Sequence, residues 1–471
     1  MFLSIFTCIC IFICGCDGAR RETTTDEYIR RNGYPLEVHK AETPDGFILT
    51  LFRIPGETGA TPVYLQHGLV DSSDSWFCMG RNRSIGFTLA DAGYDVWAGN
   101  FRGNVYSSGH KRLKPEMREY WDFSWDTLGL IDVRVMIQYI LQTSGQPDLI
   151  HIGHSMGTTS FFVAASSDDQ LNQLVRAHIA LAPITSFEHS PSPVFSAQFI
   201  EPLITLLQSY EQEHQEQDEQ SILETAKDAM DALQVPSGLS TLMASLKTYI
   251  SPVGTQVAGY AEMVTTSLNR IRDTVPDYLG MDEIIELINL ALDRGEVRGS
   301  LGRKYCQMSP AHERFCLRVL SIVQGDDEHH LTKELIRLLF RTLPKSSSLK
   351  EFLHYLQQRQ AGRVFFYDYG TEERNMLEYG SPTPPEVNFG KIKVPVYFVY
   401  GPNDLFTSVE DLQASYDKLG NPAGFFAVGR PDWNHGDFLI TIDVRCTLTK
   451  AIVLDILRKH QNERDDDDNF R

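Results

Sequence analysis

A parallel β-sheet wrapped by helices, interrupted by one long helical insertion, is the fold class this sequence predicts. Three observations predict it. Short apolar runs recur along the chain, each ending in a glycine-containing turn, with helical patterns between them. One such run leads directly into Gly153-His154-Ser155-Met156-Gly157. From about Ile184 to Leu377 the strand signal gives way to apolar residues at helical spacing.

The elements follow in order. Pro62 to Gln66 is an apolar strand ending at His67-Gly68, and Tyr94 to Ala98 is another, ending at Gly99-Asn100. Asp148 to Ile152 is a third, ending at Gly153, and Thr158 to Ala165 beyond it forms a helix. Val394 to Tyr400 is a fourth, ending at Gly401-Pro402, and Phe425 to Val428 is a fifth. Sheets of this kind place ligands at the carboxyl ends of their strands. In the middle block, Met281 to Leu292 and Leu331 to Leu343 read as helices. The block lies between strands of one sheet, so it reads as an insertion, and no internal repeat is visible.

Composition narrows the function. The 471 residues carry a net charge of −19, with 42% hydrophobic and 22% charged residues. That mix excludes a disordered, collagen-like or polytopic membrane chain. The acidity argues against a nucleic-acid partner, because no large basic face is available. Much of it is local. Glu211 to Asp231 holds eight acids and one lysine, and Glu463 to Arg471 holds five acids and two arginines. Both read as solvated, the second as a disordered tail.

Phe2 to Cys14 is a continuous apolar run followed by Gly15, Gly18 and Ala19. It is too short to span a bilayer and suits a secretory signal; a lipobox reading of Ile13-Cys14-Gly15-Cys16 is the alternative. No later run is apolar enough for a transmembrane helix. The expected division is therefore a signal peptide over 1–19 and a first core part over 20–183. A helical cap or lid with its acidic segment covers 184–376, a second core part 377–460 and an acidic tail 461–471. The chain is expected to be secreted or lysosomal. Secretion permits disulfides, and the close pair Cys306 and Cys316 is the best candidate, the alternative being two free buried thiols. Asn82-Arg83-Ser84 is a glycosylation sequon.

The motif at Ser155 carries the chemistry. Strand, Gly-x-Ser-x-Gly, then helix is the context of a nucleophile elbow, in which a sharp turn lifts a serine hydroxyl above the sheet edge. A serine needs a base. In α/β-hydrolases the chain order is Ser, then Asp or Glu, then His. Asp404 follows the strand Val394 to Tyr400, where the acid belongs, with Asp411 and Asp437 as rivals. His435 lies in the turn Asn434-His435-Gly436-Asp437, past the last sheet strands, whereas His460 sits in a polar terminal segment. The oxyanion donors expected are the backbone N–H groups of Met156 and Leu69. His312-Glu313 continues as Arg314-Phe315-Cys316, so it is not a zinc helix. No P-loop or dinucleotide fingerprint occurs. No metal and no cofactor are expected, and nothing in the pattern bears on oligomeric state.

These residues resemble a known family. Tyr34-Pro35, Thr43 to Gly46, Arg53 to Pro55, His67-Gly68-Leu69, Ala90 to Trp97, Gly99 to Asn104 and Trp121 to Trp125 stand in the order seen in acid lipases of the gastric and lysosomal type. Gly153 to Gly157, Leu181-Ala182-Pro183, Asp368-Tyr369-Gly370, Asn403-Asp404 and His435 continue the match, which runs from about Tyr34 to Leu457. The resemblance implies an α/β-hydrolase core, a helical cap with a lid, and hydrolysis of neutral lipid esters at a lipid–water interface. It maps the nucleophile to Ser155, the acid to Asp404 and the base to His435, and it favours a bridge between Cys316 and Cys306. Three departures stand out. Met156 replaces the family's usual Gln. Gly436-Asp437-Phe438 follows His435 where the family usually has Leu-Asp-Phe. The stretch from Pro183 to Cys306 is much longer than the family's, which leaves the lid and the substrate class open. A hydrolase of small soluble esters and a non-catalytic lipid-binding homologue are the alternatives. The face Phe195, Phe199, Ile200, Leu203, Leu206 and Leu207 has the spacing of a lid helix, or of one packed into the cap.

Overall fold

The computed structural model describes residues 23–192, 296–297, 309–310, 325 and 333–469. The signal segment, Cys306, Cys316, the acidic run Glu211–Asp231, the helix expected over Met281 to Leu292 and the apolar face from Phe195 to Leu207 lie outside the described residues.

The strands are β1 (Glu37–Glu42), β2 (Phe47–Ile54), β3 (Pro62–Gln66), β4 (Asp95–Gly99), β5 (Gly109–His110), β6 (Leu149–His154), β7 (Val175–Leu181), β8 (Glu296–Val297), β9 (Ser347–Ser348), β10 (Val396–Tyr400) and β11 (Pro422–Ala427). The main sheet runs in the order β1-β2-β4-β3-β6-β7-β10-β11, with β5 added beside β2. From β4 to β11 every pairing is parallel, while β1 and β2 join antiparallel. All five residues of β3 and all six of β6 are buried, as expected for central strands covered by helices on both faces. Two apolar clusters flank the sheet. One contains Tyr64, Trp97, Phe161, Phe162 and Phe398; the other contains Val63, Leu65, Ile152, Ile179 and Trp433.

Residues 347–361 pack back onto the core. The helix Leu349–Ala361 starts at a capping box in which Ser348 and Glu351 satisfy each other's backbone N–H groups. It buries Leu353, Tyr355 and Leu356, stacks His354 on Trp125 at 3.6 Å, and its Tyr355 hydroxyl donates to Thr159 at 3.2 Å. A two-residue antiparallel ladder joins β8 to β9 just before it.

The C-terminus differs from expectation. The helix Leu454–Asn469 carries Asp465 to Asp468, which the sequence places in a disordered tail. Buried Leu454, Ile456, Leu457 and His460 anchor its first turns. Once nucleated, a helix extends at one hydrogen bond per residue fixed, which carries it into the acidic run. His460 is correspondingly buried and lies 2.9 Å from the Tyr397 hydroxyl, a core contact rather than a polar surface position.

Candidate active site

The sharp turn after β6 sets the site. Ser155 has φ 54° and ψ −121°, a strained conformation for a non-glycine residue, and the helix Met156–Ser167 begins immediately after it. The turn is tied by Ser155 N–H donating to the Leu181 carbonyl at 3.1 Å, and by Thr158 N–H to the Ser155 carbonyl at 2.8 Å. A side chain at Gly157 would put its Cβ 2.5 Å from the Gln66 carbonyl oxygen, so only glycine lets the helix start so close to β3.

The other two residues arrive from loops beyond β10 and β11. His435 Nε2 lies 2.8 Å from Ser155 Oγ, and His435 Nδ1 lies 2.7 Å from Asp404 Oδ2. An ionised carboxylate only accepts, so Nδ1 carries the proton and Nε2 accepts from the serine hydroxyl. Asp404 is itself held, because its Oδ1 accepts from Phe406 N–H at 2.9 Å. Phe406 also sets its ring edge-on to His435, with centroids 4.7 Å apart. The rival acids are engaged elsewhere. Asp411 accepts from His189 N–H and lies 2.8 Å from His189 Nδ1, while Asp437 accepts from Asn434 N–H at 2.9 Å.

The loop after β3 passes beside the serine: a Cβ at Gly68 would lie 2.9 Å from Ser155 Cβ. Leu69 therefore sits next to Ser155, and Met156 follows that serine in the helix's first turn. His67 organises this loop. Its Nε2 accepts from Phe101 N–H at 3.1 Å and from Asn104 Nδ2 at 3.1 Å, so its Nδ1 carries the proton and donates to the Gly68 carbonyl at 2.8 Å. Burial lowers the His67 pKa to about 4 and raises that of Asp71, in the same loop, to about 7.

His154 was not singled out by its sequence position, although it lies inside the motif. It is buried, and its Nε2 donates to the His435 carbonyl at 3.1 Å, which leaves Nδ1 bare. Burial holds it neutral. It tethers the backbone of His435 to the end of β6, next to Ser155. Phe406 was missed for a different reason: an aromatic residue two positions after Asp404 has no pattern to mark it. Asn82 is exposed at its turn. Among the described residues, Glu188, His189 and Asp411 bring one ligand atom each to within 4.8 Å of one another. Two of the three residues are exposed, and the His189–Asp411 hydrogen bond accounts for their proximity. No helix among the described residues is long and apolar enough to cross a membrane.

Residues 25–80 match the family described as a partial alpha/beta-hydrolase lipase region, and residues 61–246 match the alpha/beta hydrolase fold. Lipase 1 of Drosophila melanogaster is 31% identical over 430 residues, covering 91% of this chain and 79% of its own. Lipase member K of Mus musculus is 28% identical, covering 94% and 95%. Gastric triacylglycerol lipase of Rattus norvegicus is 28% identical, covering 87% and 86%.

Proposed function

The chain belongs to the acid-lipase family of the α/β-hydrolases, carboxylic ester hydrolases acting on lipid esters, and on that premise we propose that it hydrolyses neutral lipid esters, triacylglycerol or cholesteryl ester, through an acyl-enzyme. The observation that carries this reading is the relay from Ser155 Oγ to His435 Nε2 at 2.8 Å and from His435 Nδ1 to Asp404 at 2.7 Å.

In the proposed mechanism, Ser155 Oγ attacks the ester carbonyl while His435 Nε2 takes its proton. Asp404 keeps the imidazole in the tautomer that can accept it and stabilises the imidazolium formed. The N–H groups of Leu69 and Met156 receive the oxyanion, where preorganised donors act most strongly. The imidazolium returns its proton to the departing alcohol, which breaks the ester C–O bond and leaves the acyl group on Ser155. Water then attacks that acyl group, again giving a proton to His435. Collapse releases the fatty acid and returns the proton to Ser155. Met156 in place of Gln leaves the backbone donor in place.

The same reading includes a signal peptide over 1–19 with a secreted or lysosomal destination, glycan at Asn82, and a Cys306–Cys316 bridge. It also keeps the insertion over 184–376 as the cap that screens the acyl site. The test is a substrate panel across pH with purified protein. Emulsified triacylglycerol or cholesteryl ester should be turned over. Activity on dissolved short esters alone would assign the chain to small soluble substrates, and activity on neither would leave a lipid-binding homologue.

A further inference from the structure

The loop that would offer the Leu69 N–H is held at two points, the Gly68 and Val70 carbonyls, and the second holder comes from the far end of the insertion. In a planar trans peptide the carbonyl of residue 68 and the N–H of residue 69 point in opposite directions. Fixing the Gly68 carbonyl on His67 Nδ1–H therefore aims the Leu69 N–H the other way. The next carbonyl but one belongs to Val70, which is left-handed at φ 51°, a costly conformation for a β-branched residue that persists only where the surroundings impose it. Its carbonyl accepts from Lys345 N–H at 2.6 Å.

Lys345 is itself immobilised by its side chain. Its ammonium is buried, 3.0 Å from Asp74 Oδ2, and both side chains are at most 2% exposed. The other oxygen of Asp74 accepts from the hydroxyls of Thr25 and Tyr106, each at 2.6 Å. A charge pair this dry is lost only at high cost, because either partner left alone is an uncompensated buried charge. The ammonium therefore fixes the residue, and the residue's N–H fixes the loop.

We propose that Lys345 is a positioning residue for the oxyanion loop, through which the returning end of the insertion sets the Leu69 donor. This rests on the reading of Leu69 and Ser155 given above. The test compares Lys345→Met with the double variant Lys345→Met/Asp74→Asn, which removes the charge left behind. Organophosphate titration counts folded sites, and turnover of a dissolved nitrophenyl ester is expressed per titrated site. Both variants should lose about tenfold or more in kcat with KM nearly unchanged, and their affinity for a trifluoromethyl ketone should fall in parallel, as expected when transition-state binding alone is impaired. A double variant within about twofold of the parent in kcat overturns the inference, as does a change confined to KM. Loss of all titratable sites in both variants, at a temperature where Ser155→Ala remains folded, assigns the pair to folding alone and also overturns it. Hydrolysis surviving in Ser155→Ala would instead remove the reading on which the inference rests.

Discussion

Asp404 is the residue whose assignment had most competitors, and the geometry separates them. Asp404 alone of the three meets His435, while Asp411 is spent on His189 and Asp437 on the Asn434 backbone. Asp404→Asn should lower kcat by about three to four orders of magnitude with little change in Tm, since the amide favours the wrong imidazole tautomer. Asp411→Asn should leave kcat per folded enzyme unchanged. Ester hydrolysis and thermal melting on both variants check the pair of outcomes. The three proposed catalytic residues were legible because each has a local signature: an elbow, and two turns after strands. His154, Phe406 and Lys345 were not legible, because their roles depend on what lies across the fold. A histidine whose partner is a carbonyl 281 residues away leaves no mark in its own neighbourhood.

Among the elements, the parallel strands were read best. β3, β4, β6 and β10 are short, mostly apolar runs, which burial on both faces demands. β1 was invisible because it is an edge strand in which Glu37, Val38, Lys40 and Glu42 are exposed and only Ala41 is buried. β7 was missed because Arg176 and His178 interrupt its apolar run. His178 is tolerated there because its Nδ1 lies 2.9 Å from that of His151 on β6, one ring donating to the other. Gly325 packs against the loops that hold Asp404 and His435. Gly325 has φ 120°, and a Cβ added there would collide with the Asn403 carbonyl and sit 3.0 Å from Asn434 Cβ. These neighbours immediately precede Asp404 and His435. Gly325→Ala should therefore destabilise the fold by about 2 kcal/mol or more and lower kcat per folded site. Urea unfolding with ester turnover checks it; unchanged values for both would contradict the packing.

Over the whole molecule, buried ionisable groups pull stability in opposite directions with pH. Burial lowers His178 to about 3 and His67 and His354 to about 4, and it holds His151 and His154 well below the usual 6.5. Below pH 6.5 the unfolded chain binds protons that these folded histidines refuse, so stability is lost as the pH falls toward 4. Burial raises Asp71 to about 7 and Glu351 to about 8. There the folded chain holds the extra proton, so stability is regained as the pH falls from 8 toward the unfolded value of 4.5 for Glu351. Glu351 accepts from Ser347 Oγ and Ser348 N–H through one oxygen, each at 2.8 Å, and an amide oxygen can do the same. Glu351→Gln should raise Tm by several degrees at about pH 9 and by little at about pH 4. Scanning calorimetry at the two values checks the sign, and a larger gain in acid would contradict it.

The proposed mechanism stands on Ser155 as its nucleophile. The most direct measurement is covalent labelling with a fluorophosphonate, followed by peptide mass mapping of the parent and of Ser155→Ala. One adduct, on Ser155, is expected, with ester hydrolysis lost in step with labelling. Ser155→Ala should remain folded, unlabelled and inactive, with kcat reduced by several orders of magnitude. An adduct on another residue, or hydrolysis that survives in Ser155→Ala, would contradict it.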